Sequence, residues 1–402
     1  MNGFGDPGGP AERFPHAFVR RLRAGELGSV PVVAGLLLIW IVFQLLNSHF
    51  LSPRNLSNLS VDIVGTGMIA VGVIFVLLIG EIDLSVGSVS GLASALFAVL
   101  NVNHGMPEPP AVILAALCGT AVGLVHGFFT AAVGVPAFVV TLAGLLGWYG
   151  LMLALMGSYG SINLDDQGLV VQLTNYYFGD VAAAYGLAAL GTAGYFLAAR
   201  RDAKRRHAAG VPARSRGEIA VRTGALAVVA FAAAYVLNQF QGLPLALLIF
   251  LAVLVVLDYV LRRTAYGRMI FALGGGVEAA RRAGINVTWV RISAFMMSGL
   301  MAAIGGLFLA SRISSVSQTA ISTNLLMNAI AAAVIGGTSL FGGRGSIWSA
   351  LLGVLVIQSI ASGVTLLDIQ AAVQYMITGG VLLLAVVIDS LSRRAQKTHG
   401  RA

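Results

Sequence analysis

Long apolar runs separated by short polar connections dominate this chain. A bilayer core of about 30 Å takes roughly 20 apolar residues per helical crossing. Runs of that order cover Val30–Leu46, Val61–Gly80, Leu84–Val102, Ala111–Val133, Ala137–Met156 and Val181–Ala199. Gly224–Leu237, Leu243–Leu261, Ile292–Ala310, Leu325–Leu340, Ile347–Leu367 and Ala371–Ile388 bring the series to about twelve spans, with 10–13 as its bounds. The pattern predicts an all-α, polytopic transmembrane helical bundle. Val30–Leu46 is too long for a signal-peptide core and no small-residue cleavage pattern follows it, so it is read as a span. The expected organisation is a basic tail at 1–29, transmembrane helices 1–6 over 30–199, and a basic linker at 200–222. Helices 7–12 then occupy 223–390, interrupted by a polar segment at 262–291, and a short tail covers 391–402.

Composition agrees and charge adds direction. Only 10% of the 402 residues are charged and 57% are apolar, against about 25% and 45–50% in soluble domains. A soluble chain of this size could not cover its surface. The net charge of +9 would suggest nucleic acid if the basic residues clustered on one soluble face. They sort by connection instead. With twelve spans and both termini cytoplasmic, 23 of the 25 Lys and Arg lie inside, and only Arg54 and Arg312 lie outside. That is the positive-inside asymmetry, and it makes the basic balance a topology signal. The richest connection, Arg200–Arg222, reads as a solvated linker or as a contact for anionic lipid head groups.

Catalytic chemistry is absent. Lys204 and Lys397 are the two lysines, and neither follows a glycine-rich loop, so a phosphate-cradling Walker segment is impossible. Neither a zinc-protease helix nor a nucleophile elbow nor a Cys/His cluster appears. Lone Cys118 reads as a packing residue, and His126, the one histidine within a span, as a side chain bonded to neighbouring backbone. The 50 glycines suit close helix packing, with Gly65-Thr66-Gly67, Gly119/Gly123/Gly127 and Gly299 through Gly305-Gly306 at the right spacing. Tyr176, Tyr177 and Phe178 read as an interfacial aromatic belt.

Three segments carry more than packing. Gly80-Glu81-Ile82-Asp83-Leu84-Ser85-Val86-Gly87-Ser88 joins the second and third runs almost without a linker. Carboxylates near membrane depth cost about 2.5–3.5 kcal/mol each at mid-bilayer. Asp83 suits an N-cap for the third helix. Alternatively, Glu81, Asp83, Ser85 and Gly87 mark a helix break at a gate or along a translocation path. A second turn, Gly336-Gly337-Thr338-Ser339-Leu340-Phe341-Gly342-Gly343-Arg344-Gly345-Ser346, shares Leu, Gly and Ser with residues 84, 87 and 90 at an offset of 256, hinting at internal duplication. Third, Ala265-Tyr266-Gly267-Arg268 precedes a short polar helix expected from Val277 to a break at Gly284, with Ala279, Ala280 and Ala283 turned outward. Such a helix suits a groove on a soluble partner.

Taken in chain order, 80–88, 266–285 and 336–346, these three motifs resemble the hallmarks of the membrane permeases of binding-protein-dependent ABC sugar importers, in the ribose/galactose/xylose branch. Phe50 through Leu59 is similar to that family's first outer loop, and the likeness runs from about residue 30 to 390. Chain length, the extra basic segment and Glu81 resemble the xylose permeases within it. The resemblance implies a bacterial cytoplasmic-membrane protein with a second permease copy, a cytoplasmic ATPase and an extracytoplasmic sugar-binding protein. ATP and Mg would sit on the ATPase, leaving this chain without a cofactor or enzymatic activity of its own. Glu278, Ala279, Ala280 and Gly284 would form the coupling helix. Gly276-Val277 departs from the Asn-Pro common there, and the Leu-Pro expected after Ile292 is missing. The competing readings are an ion-coupled secondary transporter, with Glu81, Asp83 or Asp258 as proton relay, and a passive channel.

Overall fold

The computed structural model describes residues 30–318 and 323–398; the basic tail at 1–29 and Arg401 lie outside them. All twelve apolar runs are helical. The chain forms α1 (Val30–Leu46), α2 (Pro53–Leu78), α3 (Val86–Ala98, extended by a π turn to Asn103) and α4 (Glu108–Phe128, extended by a π turn to Val133). After these come α5 (Ala137–Met156), the short α6 (Leu169–Asn175), α7 (Val181–Ala208), α8 (Arg216–Asn238) and α9 (Leu245–Arg263). The second half adds α10 (Ala265–Gly275), α11 (Val277–Arg282), α12 (Val287–Ile313), α13 (Thr323–Ile335), α14 (Trp348–Leu366) and α15 (Ala371–Thr398). Among the described residues, nine helices are long and apolar enough to cross a membrane, and Val30–Leu46, Asn324–Ile335 and Ala372–Val387 are shorter apolar helices.

Helix ends depart from the apolar runs where polar residues cap or continue them. α2 begins at Pro53 because the Ser52 hydroxyl accepts from the Asn55 backbone N–H and proline suits the first helical position. α13 stops at Ile335, five residues before the expected Leu340, because Gly336-Gly337 leaves the helix with Gly337 at φ +104°. The expected linker at 200–222 is mostly helix: α7 runs on to Ala208 and α8 starts at Arg216.

α2 and α12 form the centre. From Ile63 to Leu78, α2 is buried without interruption. α12 crosses α4 where a Cβ on Gly119 or Gly123 would strike the backbone carbonyl of Gly299 or Phe295. Lipid tails give helices little reason to associate, so such backbone approach carries the packing. The hairpin of α7 and α8 sits at the periphery, with Leu190, Val228 and Val229 exposed.

Connections gather at two ends. At one, β1 (Ser161–Asn163) pairs antiparallel with β4 (Ser315–Ser317), and β2 (Tyr177–Phe178) with β3 (Leu243–Pro244). Arg312 there donates to Asp62 at 2.7 Å. At the other end Arg262 reaches Ser346, and Arg263 lies 3.6 Å from Asp202. The basic connections all join this second end.

The duplication does not hold residue by residue. At an offset of 256, Gly87 lies in the first turn of α3, whereas Gly343 lies at φ +73° in a turn ahead of α14.

Candidate functional site

The three motif segments, remote in sequence, converge at the basic end. The Gly343 N–H donates to the carbonyl of Leu78 at 2.9 Å. A Cβ on Gly274 would collide with that same carbonyl and with Gly343 N, and one on Gly342 would press on Gly80 and Gly274. Gly80, Gly342 and Gly343 have φ of +81°, +83° and +73°, a region that L side chains adopt at a cost. Glycine therefore provides both the turn conformation and the closeness of the turns.

Beyond Gly80 the chain folds back into the bundle. The Glu81 N–H donates to the carbonyl of Val76, and Asp83 Oδ2 accepts from Ser298 Oγ at 2.8 Å. Ser298 is also the residue whose carbonyl faces Gly72 of α2. Asp83 thus lies level with a point six residues before the end of α2, about 9 Å inside it. It is 3% exposed. The N-cap reading of Asp83 is corrected: Ser85 holds the cap position, and Asp83 Oδ1 accepts from Ser85 N (2.9 Å) and Ser85 Oγ (2.6 Å).

Ser85 Oγ lies 3.3 Å from His126 Nδ1, and the Trp148 indole N–H donates to His126 Nε2 at 2.8 Å. An indole N–H only donates. Nε2 is therefore an acceptor, and the imidazole proton sits on Nδ1, facing Ser85. Gly144 makes room for this ring, since a Cβ there would strike His126 Nε2. His126 was expected to bond backbone; its partners are side chains, and it ties α4 and α5 to the inserted turn.

Nearer the end of α2, Glu81 pairs with Arg291 at 3.3 Å. Burial pushes the Glu81 carboxyl above its ordinary value, and Arg291 opposes this. A carboxylate raised on folding contributes stability that is full below its unfolded value and is lost as pH rises through the folded one. As pH rises from about 4, the ordinary glutamate value, wild type is therefore expected to lose thermal stability relative to Glu81→Gln. Parallel melting curves of the solubilised proteins check this; curves that stay a constant distance apart contradict it.

A narrow cleft opens between α3, α12 and β4, lined by Ser90, Ser94, Gly306, Leu309, Ser315 and Leu325 among others, with no charged residue in its wall among the described residues. Its volume is about 40 Å³, room for a few waters and far below the 300 Å³ or more of a small-molecule pocket. Ser90 and Ser94 donate to their own helix carbonyls, so toward a solute these hydroxyls can act only as acceptors. β1 straps β4 across its far end, with Ser161 opposite Ser317. Gly87 faces Leu326 of α13. Glu81, Asp83, Ser85 and Gly87 thus do not form one open wall: Asp83 and Ser85 are enclosed, and Glu81 sits at the basic end.

The polar helix at the basic end is α11. Gly284 closes it at φ +79°, with Gly284 N–H to Arg281 O and Ile285 N–H to Ala280 O, a Schellman closure. Glu278 is exposed and paired with Arg281 at 3.0 Å. Ala279 and Ala283 point outward as expected. Ala280 does not; it is 2% exposed and packs into the core. Phe341, from the Gly336–Ser346 turn, is 66% exposed.

Comparison with known proteins places this arrangement. Residues 55–386 match the family model described as "Branched-chain amino acid transport system / permease component". The chain belongs to this family. It is 35% identical to the xylose transport system permease protein of Escherichia coli (strain K12), over 93% of this chain and 94% of that one. Identity is 32% to the ribose import permease protein of Bacillus subtilis (88% and 90% covered) and 28% to the L-arabinose ABC transporter permease protein of Azospirillum brasilense (91% and 88%). No solved structure matches the chain.

Sequence reasoning missed Ser298, Trp148 and the cleft serines. The partners of Trp148 and Ser298 lie 22 and 215 positions away, and the cleft serines of α3 and β4 belong to distant segments, so spacing could not reveal them. The one available signal was Asp83-x-Ser85 beside a span holding a solitary histidine.

Proposed function

We propose that this chain is the membrane subunit of an ABC importer that moves a neutral monosaccharide, D-xylose in particular, into the cell. The uncharged, hydroxyl-lined cleft is the geometric support. An amino acid, the solute in the family's description, brings an ammonium and a carboxylate that would find no counter-charge there. A sugar offers hydroxyls to serine oxygens and C–H faces to leucine. The xylose, ribose and arabinose permeases named among the relatives point the same way.

In this reading twelve helices cross the bacterial cytoplasmic membrane, and the basic end and both termini face the cytoplasm. A separate ATPase, carrying ATP and Mg, docks on α11 and the neighbouring Phe341. A binding protein delivers sugar at the β1–β4 end, and a second copy of the chain completes the assembly. ATP binding shifts the population between outward- and inward-open states, and the 40 Å³ cleft corresponds to a closed one.

Reconstitution tests this. Xylose uptake should require ATP and the binding protein and should survive a protonophore. Uptake that persists without the ATPase, or collapses with the protonophore, favours an ion-coupled carrier working through Asp83 and His126 and overturns the proposal.

A further inference from the structure

The helical hairpin of α7 and α8 has no part in the cleft or the coupling helix, yet it holds eight of the 25 basic residues, at 200, 201, 204, 205, 206, 214, 216 and 222. Asp202 and Glu218 are the acids in that stretch. Asp202 is shared between Arg206 and Arg263, and Glu218 pairs with Arg222. No acid lies within ion-pair distance of Arg201, Lys204, Arg205, Arg214 or Arg216 among the described residues.

These cations are fixed in place. Only residues 209–215 leave the helical conformation, so Arg200 through Arg206 ride on a helix whose apolar part, Val181 to Ala199, is about 28 Å long. That length matches the bilayer hydrocarbon and places the cations at head-group level.

Their direction is fixed too. Ala199 is buried and Asp202 turns toward Arg263, which marks the bundle side of α7. On the opposite side, Leu190, Leu197, Arg201 and Lys204 follow one another at i, i+7, i+11 and i+14, with Arg200 and Arg205 flanking. Leu190 is 75% and Leu197 52% exposed. The Arg200 guanidinium stands 5.3 Å over the Phe196 ring, so this cation sits against the apolar stem below it. The helix face that meets lipid tails therefore continues directly into a cationic face. A soluble partner would meet this surface only at its tip, whereas a leaflet meets the whole stripe.

We propose that Arg200, Arg201, Lys204 and Arg205 form a docking face for anionic phospholipid head groups of the leaflet around the basic end. The proposal is independent of the solute transported.

The test uses the full-length chain in phosphatidylcholine vesicles containing a minor fraction of phosphatidylglycerol, extracted into nanodiscs for counting of retained lipid. Wild type should enrich phosphatidylglycerol over the bulk by at least about threefold, and raised salt should reduce this. The combined variant Arg200→Gln, Arg201→Gln, Lys204→Gln, Arg205→Gln should retain the bulk composition. Replacing the three arginines by lysine should preserve enrichment, and Arg281→Gln with Arg282→Gln should leave it unchanged, which separates the face from total charge. If the glutamine variant misfolds, the lysine variant and added inorganic phosphate decide. Enrichment lost with lysine, or abolished by millimolar phosphate, overturns the proposal. So does a folded glutamine variant that keeps its phosphatidylglycerol but no longer binds an ATPase, which would make the face a protein-docking surface.

Discussion

An Asp83→Ala variant is expected to lose most of its folded form, with a stability loss of about 2–5 kcal/mol. The carboxylate satisfies three donors inside the bundle: Ser85 N, Ser85 Oγ and Ser298 Oγ. Each donor left unpartnered and out of reach of water costs about 1–3 kcal/mol, and the costs do not add fully within one network. Against a total stability of about 5–15 kcal/mol such a loss is large. Ser298→Ala removes one bond and should cost less. Asp83→Asn keeps the shape and one acceptor oxygen and should fall between wild type and alanine. Thermal loss of the monodisperse peak in size-exclusion chromatography orders the series. An alanine variant as stable as wild type but inactive in transport would mean that the solute, not the turn, uses Asp83.

The same residues show where sequence reading reaches and where it stops. α1 and α5 end where the apolar runs end, because both lie almost wholly in apolar sequence. α7 and α8 overrun their apolar parts, since arginine is a good helix former and hydropathy registers burial rather than helicity. The glycine motifs were visible as motifs. Their meeting was not, because Gly80, Gly274 and Gly343 contact through backbone atoms, which every residue has. Ala280 illustrates the finer limit. Small outward-facing residues are a fair expectation on a polar helix, but α11 is short, and one of its alanines must face α12 for the helix to pack at all. His126 was isolated in sequence and is tied in space to Trp148 and, through Ser85, to Asp83.

A Gly284→Trp variant is expected to fold and yet to lose ATP-driven uptake. A Cβ at Gly284 meets nothing within 4 Å, so the indole causes no clash in this chain. Its cost is the left-handed backbone at φ +79°, about 1–2 kcal/mol for an L residue, which the fold can absorb. The indole would stand beside Ala283 and Ala279 on the outward side of α11, where flatness matters only to a docked partner. Uptake at background, a melting midpoint near wild type and loss of the ATPase on co-purification together form the expected result. Gly284→Asn keeps a residue tolerant of the left-handed turn with little bulk and should retain most uptake. Ala279→Arg, on an exposed helical site, offers a second way to crowd the face without backbone strain. The same change at Ala280 should instead lower stability, because that side chain is enclosed. Wild-type uptake by Gly284→Trp with the ATPase still bound would remove α11 from the coupling path and leave the exposed Phe341 turn to carry it.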